Sequence, residues 1–171
     1  MQGELEEEAG GRWRVRFVRR LRHPRERVWR ALTEPEHLAA WFPTTVEGER
    51  AAGASLRFAF PGGEQPAFEG EMVTWDPPSV LEFRWGEDLL RFELHAAGEG
   101  TVLTLLDTLA ERGKAARDAA GWHVCLNRLE RYLSGAEPVE EKWRPVHAAY
   151  VERFGPEAST IGPPEAFSEI E

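Results

Sequence analysis

Cysteine is nearly absent from this sequence. Cys125 is the only one in 171 residues, so no internal disulfide can form and the chain suits a reducing compartment. Long apolar runs are missing too: none approaches the roughly 18 residues of a membrane-spanning helix. Met1 to Gly10 is acidic rather than basic-then-apolar, unlike a signal peptide. Together these absences lead to the expectation of a cytoplasmic protein with no membrane span. Positive charge is in deficit, and a net charge of −9 disfavours contact with a phosphate backbone, so no nucleic-acid partner is expected. Catalytic signatures are scarce. His23, His37, His95, His123 and His147 show neither His-x-His nor HExxH spacing, and no metal site is expected. No GxSxG elbow, GxxxxGK(S/T) loop or GxGxxG turn occurs, and no cofactor is expected.

What is present is a normal globular balance, 42% hydrophobic and 30% charged, at a length that fits one domain with a real core. The charge is uneven. Residues 12 to 30 carry nine arginines, while Glu4, Glu6, Glu7 and Glu8 and the tail after Gly155 are acidic. The arginines are either solvated faces of a strand and a helix or a patch for an anion or partner.

Trp13, Val15, Phe17, Arg19 and Leu21 alternate with polar residues, as on a half-buried strand. His23-Pro24 and Glu34-Pro35 open two short helices, with Val28, Trp29 and Leu32 and then Leu38, Trp41 and Phe42 as apolar stripes. Six further strands are predicted over 44–48, 54–60, 67–75, 80–85, 89–96 and 101–109. Their Gly- and Pro-rich separators are short, which favours antiparallel neighbours. Ala115, Ala119, Trp122, Leu126, Leu129 and Leu133 recur at helical spacing in a long helix over 112–134 that Gly135 caps. A final short helix carries Trp143, Val146, His147, Tyr150 and Phe154 and folds back onto the body. The order points to an α+β helix-grip fold: a curved antiparallel sheet of about seven strands around a long C-terminal helix, with two short helices after the first strand. The expected divisions are a flexible acidic arm over 1–11, the domain over 12–135, an additional helix over 136–155 and a flexible tail over 156–171.

Three segments carry a family resemblance. The run from Arg19 to Pro43, with His23-Pro24, Val28-Trp29, Glu34-Pro35 and Trp41-Phe42-Pro43, resembles the opening of START-like (SRPBCC, Bet v 1-like) proteins. Within that superfamily it looks like the bacterial branch related to the Hsp90 ATPase activator. Gly70 to Pro78 is similar to that branch's fourth strand and its Pro-Pro turn, and Gly121-Trp122-His123 to an element on its long helix. The resemblance covers about residues 12 to 135. It implies the helix-grip fold, on which binders, cyclases, lipid carriers and co-chaperone domains all occur. The eukaryotic activator carries a further N-terminal domain where only residues 1–11 precede the first expected strand here, which turns the expectation away from Hsp90 activation.

Seven tryptophans and nine phenylalanines are either core packing or the wall of a cavity left where a curved sheet cannot close on one helix. Trp41, Phe58, Met72, Trp85, Phe92, Trp122 and Leu126 are the expected lining, with Arg19 as a polar group. Arg19 and Asp107 each lie on an apolar face, so they either pair in a salt bridge or one of them orients a ligand. His123 and Asp107 are the candidate acid–base residues; adjacent helix positions diverge by about 100°, which puts His123 at the rim if Trp122 points inward. Cys125 reads as a small core residue. Three functions follow in order: a module binding a small hydrophobic or aromatic molecule, a protein-interaction or chaperone-cofactor module, and a polyketide cyclase- or dehydratase-like enzyme. Either a monomer or a homodimer suits these readings.

Overall fold

A computed structural model describes residues 2–63 and 65–163. Its strands are β1 (Glu4–Glu7), β2 (Trp13–Leu21), β3 (Thr45–Glu47), β4 (Ser55–Ala59), β5 (Phe68–Asp76), β6 (Val80–Trp85), β7 (Asp88–Ala97) and β8 (Gly100–Leu109). Its helices are α1 (Arg25–Thr33), α2 (Pro35–Leu38), α3 (Ala115–Leu133) and α4 (Trp143–Phe154). The strands form one antiparallel sheet in the order β1-β2-β8-β7-β6-β5-β4-β3, which the alternating burial of β2, β7 and β8 turns one face inward. No helix among the described residues is long and apolar enough to cross a membrane.

Two tight hairpins set the register at the end of the sheet that matters most. Gly86 and Gly98 each open a two-residue loop with φ of 60°, a conformation that a side chain disfavours and that matches strand twist. The first pairs Trp85 with Asp88, and the second carries the chain into β8, where Asp107 lies between Leu90 of β7 and Val15 of β2. At Gly70 a Cβ would come within 2.0 Å of the Arg84 carbonyl and 2.7 Å of the Phe58 ring, so β4, β5 and β6 close there only on a bare backbone.

α3 crosses the inner face. Ala115, Ala116, Ala119 and Ala120 are all buried, and their small side chains let its first half sit close to neighbouring segments. Its end is capped as the sequence predicts: Gly135 takes φ 70°, and the Ala136 N–H reaches the Arg131 carbonyl at 3.0 Å. α4 packs along α3, with Tyr150 buried.

The N-terminal segment differs from the flexible arm expected over residues 1–11. Residues 4–7 form an edge strand on β2 in which Glu6 faces Arg14 and Glu4 faces Arg16. Arg14 binds Glu6 at 2.9 Å and Glu8 at 2.5 Å, so the acidic run and the arginine-rich strand are two halves of one cross-strand ladder. Met1 lies outside the described residues. The tail also begins in contact with the body: Ala158 is buried, and the Ile161 N–H donates to the Gly113 carbonyl at 3.1 Å. The rest of that expected tail, 164–171, lies outside the described residues.

Candidate functional site

The middle of the grip is filled. Trp41, Phe58, Met72, Phe92 and Leu126 are each exposed by 1% or less. The void bounded by Trp41, Met72 and Phe92 measures about 10 Å³, room for a single water at most. Phe58, Leu126 and Arg19 line neither this void nor the larger space described next.

That space is a groove of about 510 Å³ at the β4–β6 end of the sheet, within the range of small-molecule pockets. Phe60, Phe68 and Trp85 form its sheet side; Arg117, Asp118, Gly121, Trp122, Val124, Cys125 and Arg128 come from α3; Trp143 at the start of α4 closes one flank. Of the residues expected to line a cavity, it contains Trp85 and Trp122. Trp85 is the hub of the wall, its ring 4.7 Å from Phe68, 4.8 Å from Phe58 and 5.6 Å from Trp122. Helical spacing explains the α3 side, since positions 117, 121, 124 and 128 fall at intervals of three and four. Gly121 in that series has open space where its Cβ would be.

Of the two readings of Arg19 and Asp107, the salt bridge does not form. Arg19 pairs across the sheet with Leu103 and Asp107 with Val15, four residues along the same strand pair, or roughly 13 Å. Arg19 instead donates from one guanidinium nitrogen to Asn127 Oδ1 at 2.7 Å and to Glu130 Oε2 at 3.2 Å, tying β2 to the C-terminal half of α3. Asp107, fully buried, accepts the Trp122 indole N–H at 3.2 Å through Oδ2. That bond fixes the tryptophan ring that walls the groove.

Asp107 has company that the sequence did not reveal. Carboxylate oxygens of Asp88, Asp107 and Asp118 lie within 4.8 Å of one another. Asp88 Oδ1 accepts the Ala110 N–H at 2.9 Å and lies 3.5 Å from Lys114 Nζ; Asp118 Oδ1 lies 3.0 Å from Arg117 Nε. Burial first, then the neighbouring carboxylates, push Asp107 well above the usual carboxylate range. Burial also lifts Asp118, against Arg117, to about 6. Asp118 precedes Trp122 by one helical turn, a signal in the sequence that could have placed it on the same face.

His123 lies elsewhere. Its Nδ1 is 2.7 Å from the Tyr150 hydroxyl, its ring packs edge-on against Phe17, and it does not line the groove. Burial and then Arg19 hold its pKa down, which favours the neutral ring, and the Tyr150 hydroxyl that it bonds also accepts the Gly3 N–H at 2.8 Å. His123 and Asp107 thus serve separate networks and do not form an acid–base pair. Cys125 does border the groove, but burial pushes its thiol up to about 12, which keeps it protonated and poorly nucleophilic.

Comparison with known proteins places this geometry. No match was found among curated proteins. Solved structures of the same fold include the conserved protein EF2215 from Enterococcus faecalis (22% identity, 90% of this chain and 91% of that one, TM-score 0.76). CalU16 from Micromonospora echinospora is another (20% identity, 94% and 98%, TM-score 0.71). DynU16, a protein of the dynemicin biosynthetic locus, is 31% identical over 71% of this chain and 47% of its own (TM-score 0.63). The family model described as activator of Hsp90 ATPase homolog 1-like protein matches residues 22–134, most of the sheet and α3. The chain belongs to the activator of Hsp90 ATPase homolog 1-like family, within the helix-grip SRPBCC superfamily.

Proposed function

We propose that this protein binds a small, largely apolar aromatic molecule in the groove between the β4–β6 end of the sheet, α3 and the start of α4. The observation that carries this reading is the aromatic wall. Trp85, Trp122, Trp143, Phe60 and Phe68 converge on a space of about 510 Å³ while the middle of the grip is packed. Flat rings suit such a site because they stack on or meet edge-on the fixed indole and phenyl faces, and the walls have little to reorganise on binding.

The test is a calorimetric titration with 2-naphthol, paired with its effect on thermal unfolding. Binding in the groove raises Tm, with a stabilisation that grows as the logarithm of ligand concentration over Kd. It also changes the emission of the three groove tryptophans. If 2-naphthol and larger fused-ring analogues neither shift Tm nor alter that emission, the aromatic wall is core packing exposed by chance and the binding reading is abandoned.

A further inference from the structure

The three-carboxylate cluster at the end of the groove is short of one positive charge. Lys114 serves Asp88, and Arg117 serves Asp118. Asp107 has no cation among the described residues. Its Oδ2 accepts the Trp122 N–H, but its Oδ1 is buried without a donor. A bare carboxylate oxygen in that position is costly. A proton on Oδ1, donated to the neighbouring Asp118 carboxylate, gives that oxygen a partner and balances the charge.

We propose that Asp107 and Asp118 share one proton as a single carboxyl pair, and that Asp118 is the hydrogen-bond acceptor for a phenolic hydroxyl on the aromatic ligand. The second half rests on the groove reading above. Asp118 is the member of the cluster that borders the groove, with a side chain 14% exposed, whereas Asp107 is sealed behind Trp122. A hydroxyl placed there meets a carboxylate whose other contacts, Arg117 and the Asp107 proton, hold it in position, so the bond is charge-assisted. The neighbouring charges are all assigned: Asp88 from β7, Glu87 from the hairpin loop through Lys114, Arg117 from α3 and, within range of Arg117, His147 from α4. The ligand class is therefore a hydroxylated aromatic ring system.

Two measurements test this. Carbon-13 NMR of aspartate-labelled protein at pH 7 should show one protonated carboxyl, absent from Asp107→Asn, in which the amide keeps the Trp122 bond and still donates to Asp118. Calorimetry should find 2-naphthol binding about tenfold tighter than its isostere 2-methylnaphthalene, with the preference lost in Asp118→Ala; circular dichroism checks that both variants fold. No protonated carboxyl at pH 7 overturns the pair. So does a rise in Tm with calcium, magnesium or manganese chloride that Asp107→Asn abolishes, since the cluster is then a cation site. Equal binding of the two probes removes the Asp118 contact and leaves the groove reading intact. If neither probe binds, the groove reading and the Asp118 contact fall together, and the shared proton stands or falls on its own NMR signal.

Discussion

Gly121→Leu isolates the groove from the rest of the fold. Gly121 sits in the middle of α3, borders the groove and has nothing within 4 Å of the point where a Cβ would stand. Leucine is favoured over glycine in a helix interior by about 0.8 kcal/mol. Contact with the neighbouring rings adds a few tenths at about 25 cal/mol per Å². A gain near 1 kcal/mol in a chain of this size corresponds to a Tm rise of roughly 2–4 °C. The same side chain places four carbons in the groove, roughly 120 Å³ if each displaces about one water's share of volume. That is close to a quarter of the 510 Å³ available. A ligand denied this strip of α3 loses on the order of 60 Å² of contact, about 1.5 kcal/mol, or roughly tenfold in Kd. Differential scanning fluorimetry and calorimetric titration with 2-naphthol read the two effects side by side. The combination of higher Tm and weaker binding is expected. A fall in Tm means that the site is not open; unchanged affinity at a higher Tm would falsify the groove as the binding site.

The carboxyl pair has a pH signature. Asp118 is pushed up to about 6 and Asp107 well above the ordinary range, so between roughly pH 4 and 6 and beyond, the folded state holds protons that the unfolded chain has released. Stability therefore falls as pH rises through that window, by up to about 1.4 kcal/mol per pH unit for each proton. Asp107→Asn should flatten the slope in urea melts between pH 5 and 9, and an identical slope in the variant counts against the pair. Tyr150→Phe removes the acceptor of the buried Gly3 N–H and the hydroxyl bonded to His123 Nδ1. A loss of about 1–3 kcal/mol is expected, with faster hydrogen exchange in β1 and α4; unchanged exchange there contradicts a tie through the Tyr150 hydroxyl. His123 is depressed, so the stability that its neutral form supports is complete above about pH 6.5 and is lost as pH falls toward its folded value. Proton NMR of His123 should show a pKa below that of a free histidine. Gly70→Ala drives a Cβ onto the Arg84 carbonyl and should cost about 1–3 kcal/mol by forcing β5 away from β6; a chevron or equilibrium melt with no change sinks that account.

The sequence by itself determined the helix-grip order. Period-two runs such as Trp13–Leu21 and the three-four stripe from Ala115 to Leu133 follow directly from which face each residue type can bury, and the short Gly- and Pro-rich separators favour antiparallel neighbours. The C-cap at Gly135 was legible for the same local reason. Pairing between distant segments was not. The acidic run read as a flexible arm and the arginines as solvated faces or a patch for an anion or partner, and only the sheet edge brings Glu6 opposite Arg14. Trp41, Phe92 and Leu126 carry the same apolar character as Trp85 and Trp122, so composition cannot say which rings fill the core and which wall the groove. That depends on how closely the four alanines of α3 let the helix approach its neighbours, and on the open space beside Gly121. Likewise Asp88, Asp107 and Asp118 come from two strands and a helix. Strand register and helix placement, which are properties of the assembled fold alone, bring them within 4.8 Å and fix where their proton sits.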